Sequence, residues 1–156
     1  MLLALALLAA PALARDSIGT FGRWGAFRET SPRHCFAIAQ PVQLVGGTTT
    51  RAFASIARWP ASNIRAQLHV RLSRPRDPRA AVTLSIGERR FQLTAGDLDG
   101  WASDTRTDRA IVAAIRSGRS LSVESIGRDR RAIADIYSLA GAATAIDAAT
   151  VACAGN

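Results

Sequence analysis

Lysine is absent from the sequence. All 20 basic residues are arginine, set against 12 acidic ones, and the net charge is +8. A balance of that sign attracts anionic partners such as lipopolysaccharide, phospholipid headgroups, acidic glycans or nucleic acid. The arginines are scattered along the chain, however, as a GC-rich genome and a solvated surface would also place them. Cysteine and histidine are scarce, two of each. A four-ligand zinc site would have to use Cys35, Cys153, His34 and His69 together, and their spacing matches no zinc motif. Aromatic residues make up 6%, few enough that most are expected to fill the core. No stretch reaches the roughly 20 apolar residues that cross a membrane as a helix. Repeats, low-complexity tracts and linkers are missing too. Residues 15–156 therefore read as a single β-rich domain, long enough to bury a core without metal.

The first 14 residues, MLLALALLAAPALA, are apolar and carry no charged side chain. Ala12-Leu13-Ala14 fits a signal-peptidase site, with Arg15 and Asp16 opening a polar stretch. Residues 1–14 are expected to be a secretory signal peptide, although the usual basic start is missing. Two cysteines in an exported chain favour one disulfide. A Cys35–Cys153 bond would staple an early strand to the end of the chain, and closing a loop of that length is worth nominally about 4–5 kcal/mol on chain-entropy grounds.

Period-two alternation marks most of the chain. Strands are expected over residues 19–28, 34–40, 51–59, 66–73, 82–86, 89–94, 121–126 and 131–139. The clearest is 66–73, where Leu68, Val70 and Leu72 alternate with Gln67, His69, Arg71 and Ser73, one face buried and one wet. Gly87-Glu88 supplies a two-residue hairpin turn. A helix capped by Asp104 or Thr107 should run to about residue 117 and stop at Gly118. A second should fill residues 141–155, with Ile146, Ala149, Thr150 and Cys153 on one face. The fold class is therefore mainly β: an antiparallel β-sandwich-like domain with one internal helix and a C-terminal helix packed on the sheet.

Candidates for chemistry are few. His34 and Cys35 are adjacent, but neighbours on a strand point to opposite faces, and a disulfide would consume the thiol. A base formed by His69 with Asp135 and a serine would need a nucleophile context such as G-x-S-x-G, which is absent. Asp97, Asp99, Ser103 and Asp104 lack the third acid and the distal glutamate of a calcium loop, and read as a turn followed by a helix cap. Two carboxylates on one turn do not make a glycosidase pair either. No catalytic, cofactor-binding or metal-ligating residue is assigned. Trp24, Trp59 and Trp101, with Phe27, Phe36, Phe53 and Phe91, are candidate stacking platforms for sugars or bases; Trp59, beside Pro60 at a strand end, is the one expected to be exposed. Tyr137 is expected to be buried, its hydroxyl tied to backbone near Ser138.

Several stretches, in order, resemble the invasion-associated locus B family: Phe21-Gly22-Arg23-Trp24-Gly25, Cys35-Phe36-Ala37-Ile38-Ala39-Gln40-Pro41, Asp97-Leu98-Asp99-Gly100-Trp101 and, most specifically, Asp135-Ile136-Tyr137-Ser138-Leu139-Ala140-Gly141. Ala142 departs from the family in place of the usual bulky residue, and the first strand is more basic. The resemblance implies an exported alphaproteobacterial protein, periplasmic or secreted, built mainly of strands. The expected function is that of a non-catalytic envelope protein binding or supporting an anionic envelope or host-surface component. That component would be lipopolysaccharide, lipid headgroups or another envelope protein. No specific nucleic acid and no membrane-spanning segment are expected. The contacts would come from Arg74, Arg76 and Arg79 in a proline-stiffened loop and from Arg128, Arg130 and Arg131 in a turn. The alternative is a periplasmic hydrolase, which would need a clustered pair of titratable groups in a pocket.

Overall fold

The computed structural model describes residues 15–155, so the segment read as a signal peptide lies outside the described residues. Eleven strands form one antiparallel sheet: β1 (Arg15–Phe21), β2 (Trp24–Thr30), β3 (Arg33–Ala39), β4 (Gln43–Val45), β5 (Phe53–Trp59), β6 (Ile64–Arg71), β7 (Val82–Ile86), β8 (Arg89–Ala95), β9 (Asp99–Trp101), β10 (Ser120–Ile126) and β11 (Ala132–Ser138). Helix α1 (Thr105–Ser117) precedes β10, and α2 (Ala142–Ala152) follows β11. The strand order is β1-β2-β3-β5-β6-β9-β8-β7-β10-β11-β4. Strand β8 is the corner: its length pairs with β7, while Thr94 and Ala95 at its end pair with β9. The sheet thus folds over itself into two layers around one core, to which both contribute.

Small residues set how the first layer is covered. Ala26 of β2, Ala37 and Ala39 of β3 and Ala54 of β5 are buried on its inner face. With no side chain beyond Cβ, they let α2 approach closely through Ala142, Ala145, Ile146 and Ala149. At the end of α2, Cys153 meets Cys35 of β3 in a disulfide closing a span of 118 residues. Helix α1 begins where its cap was expected, with Asp104 accepting from the Thr107 N–H at 2.7 Å. Gly118 ends it. Its Asp108 also accepts from the Leu68 N–H at 2.7 Å. Strand β9 pairs β6 only at His69–Arg71, so this carboxylate satisfies a backbone donor that the short strand does not reach.

The expected first strand is in fact a hairpin. Gly22, at φ 57°, turns the chain between β1 and β2. This turn lies directly on the loop that launches α2: the Arg23 N–H donates to Ala140 O at 3.0 Å, and Trp24 Nε1 donates to Ser138 O at 2.9 Å. A Cβ on Gly22 would overlap the Ala140 carbonyl, and one on Gly141, at φ 84°, would overlap that of Phe21. Two of the stretches that carry the family resemblance are therefore one structural unit. Strands β4 and β9 were also unexpected; at three residues each they are too short to show alternation.

A candidate binding face on the outer sheet layer

Because both helices pack on the inner face of the first layer, its outer face is left to side chains of the strands alone. Alternation places Phe27 of β2, His34, Phe36 and Ile38 of β3, Phe53 and Trp59 of β5, His69 and Arg71 of β6, and Asp99 and Trp101 of β9 there. This face holds both histidines, two of the three tryptophans and three of the five phenylalanines. The expectation that most aromatics fill the core is thereby corrected. Of the tryptophans only Trp24 joins the core, because the space between α2 and β2–β3–β5 is filled by alanines.

The rings form two stacks. Around His34, the imidazole lies parallel to Trp59 at 4.0 Å and to Phe36 at 5.3 Å, and Phe27 packs on Phe36 at 5.7 Å. The Arg15 guanidinium lies over Phe36 and Phe27, at 5.3 and 5.8 Å, while its Nε donates to Glu29 at 2.8 Å. In the second stack, His69 is parallel to Trp101 at 5.1 Å and meets Phe53 edge-on at 4.9 Å. Its Nε2 lies 2.8 Å from Asp99 Oδ1. Arg71 grips the same carboxylate with two bonds, of 2.9 and 3.0 Å, and covers Phe53. Burial works to raise the Asp99 carboxyl, but the bonds from Arg71 and His69 outweigh it and hold the group below the usual carboxylate range. Trp59, expected as the exposed platform, is half-covered by its stack on His34. Trp101 is the exposed one, at 37% of its surface.

The nucleophile readings resolve in the same geometry. His34 lies on the outer face with Nδ1 2.9 Å from Pro32 O, while Cys35 points inward into its disulfide. Asp135 is far from the role of a partner for His69: it is buried and accepts from the Ser73 N–H at 2.9 Å. Asp97 pairs with Arg128, and Asp99 belongs to β9. The Tyr137 ring is buried as expected, but its hydroxyl makes no hydrogen bond among the described residues; the bond to the Ser138 carbonyl comes from Trp24 instead.

The two arginine segments do come together, through the Arg128 N–H on Pro75 O at 3.2 Å and a bridge between Arg76 and Gly127. They do so largely by neutralising themselves. Arg74 is buried, bonded to Asp129 and to Ala132 O at 2.8 Å. Arg76 folds back on backbone carbonyls, among them Gly96 O and Ala80 O, both at 2.6 Å. Arg79 pairs with Asp77 at 3.6 Å and Arg128 with Asp97 at 2.7 Å. Arg130 and Arg131 are exposed and join no ion pair among the described residues.

These elements define a disulfide-closed antiparallel β-sandwich, with helices on its inner side and an aromatic outer face. The fold is similar to that of invasion associated protein B from Bartonella henselae, whose crystal structure matches with a TM-score of 0.61 at 16% identity. The match covers 89% of this chain and 96% of that one. No protein-family model matches the sequence, and no curated protein does.

Proposed function

We propose that this protein is a non-catalytic, exported envelope protein of the invasion-associated locus B type that binds an anionic envelope component. We place the contact on the outer aromatic face, in preference to the arginine turn. The observation that carries this reading is the gathering of both histidines, Trp59, Trp101 and three phenylalanines on a sheet face that no helix covers. Arg15 and Arg71 lie over those rings, each paired with a carboxylate through Nε and one Nη, and their side chains stay 55% and 42% exposed to an approaching anion. Of the six arginines first expected at the contact, Arg74 is buried and Arg76 is folded back on backbone carbonyls. Export is supported by the Cys35–Cys153 bond, which belongs in an oxidising compartment, and by the apolar first 14 residues. Family membership is supported by the shared fold and by the way two of the resembling stretches interlock through Gly22 and Gly141. Lipopolysaccharide and anionic vesicles should bind at low salt and be released at high salt. Absence of binding at low salt would overturn the proposal. The exported protein should begin at Arg15 and take up two alkyl groups only after reduction.

A further inference from the structure

We infer that the outer face recognises a pyranose ring of an envelope saccharide, seated on the free side of the Trp101 indole. The inference rests on the reading of this face as the contact with an envelope component and names the part of that component it holds.

Trp101 is fixed as a flat platform. One side is stacked on His69, with the planes 6° apart. His69 is in turn held by Asp99, and Asp99 by the two bonds from Arg71. The opposite side of the indole faces away from β6. There its cross-strand neighbour is Thr94 of β8, which is exposed, and the next outward-facing residue along β8 is Gln92, also exposed. Beside the free indole side, then, stand a hydroxyl and an amide on a rigid strand, each able to donate and accept. A sugar ring has the matching surface: an axial C–H face for the indole and equatorial hydroxyls for the polar neighbours.

The exposed chemistry disfavours an apolar protein partner. Phe27, Phe36 and Phe53 are overlaid by Arg15 and Arg71, and Trp59 is half-covered by its stack. Of the aromatic residues on this face, only Trp101 is exposed. One indole with a polar rim is too small an apolar patch for protein docking, but it is the size of one sugar.

The test uses the whole mature chain and two probes: the delipidated core oligosaccharide of a lipopolysaccharide, and phosphatidylglycerol vesicles. Amide and indole N–H resonances are followed during titration with the oligosaccharide. The Trp101 indole and the Thr94 and Gln92 amides should shift, and Trp101→Ala should weaken binding at least about tenfold. Trp101→Phe, which keeps a flat ring, should retain part of the affinity. The exposed position keeps these variants folded, and the resonances of the Trp24 indole report on that. Oligosaccharide that fails to bind while vesicles still bind at low salt would overturn this inference and leave the proposed function standing. Failure of both probes would overturn both. Shifts centred on Arg130 and Arg131, or a Trp101→Ala variant that binds as well as the parent, would likewise overturn the saccharide site.

Discussion

Asp135 carries the least ordinary electrostatics in the molecule. It is fully buried, and one oxygen accepts from the Ser73 N–H; the other has no partner among the described residues. Burial pushes its carboxyl above the usual range, against the bonds from Ser73 and the charge of Arg74. A carboxyl whose folded-state pKa is raised favours folding fully only below its unfolded value, and that contribution is lost as pH rises through the folded value. Asp135→Asn keeps an acceptor for Ser73 and removes the buried charge. Urea unfolding should therefore show the variant more stable than the parent at pH 7, with the difference closing as pH falls below about 4. A variant less stable at pH 7 would contradict this account. The local signals at this scale were legible in the sequence: the Asp104 cap, the inward Cys153 and the hairpin glycine Gly87 each depend on near neighbours. The role of Asp135 and the partner of Trp24 were not, because Ser73 and Ser138 lie 62 and 114 residues away.

At the level of elements, the glycine pair that joins the first hairpin to the start of α2 is the most exacting contact. Gly141 combines a left-handed backbone with a close approach to Phe21. Gly141→Ala would meet both the conformational cost of a side chain at positive φ, about 1–2 kcal/mol, and a backbone clash. The total should reach about 3 kcal/mol, in the range reserved for strain at special positions. Gly47→Ala is the control: it too has positive φ but nothing within 4 Å, so it should lose only the conformational part. Equal losses in denaturant midpoint would show that the interlock is unimportant. The alternation of β3 was plain in the sequence, with Phe36 and Ile38 on one side and Cys35, Ala37 and Ala39 on the other. Which side faced inward was not, since both are apolar. The answer lies in α2, whose alanine-rich surface needs small residues opposite it, so the large rings are turned outward. The same cause hid the candidate face, because aromatics were expected inside. The Gly22 turn was missed for a different reason: Gly22-Arg23 has the same Gly-X form as Gly87-Glu88, but the glycines at 19 and 25 interrupt the alternation on both sides of it.

Across the whole molecule, one covalent bond and one topology hold the first layer to the end of the chain. At a sequence separation of 118, the bonded cysteines restrict the unfolded chain strongly. Cys35→Ser with Cys153→Ser should lower stability by about 4 kcal/mol on chain-entropy grounds. The double variant should unfold at lower denaturant, and the reduced parent should match it; a parent indifferent to reduction would contradict the role given to the bond. The same topology leaves one broad face of the sheet bare of helices and places the aromatic stacks on it.

That face is the centre of the account, and its footprint is the most direct test. Hydrogen exchange of the whole protein should be measured with and without lipopolysaccharide at low salt. Protection is predicted on β5, β6 and β9 around Phe53, His69 and Trp101. Protection confined to residues 128–131, with the outer face unchanged, would return the binding role to the arginine turn and contradict the account.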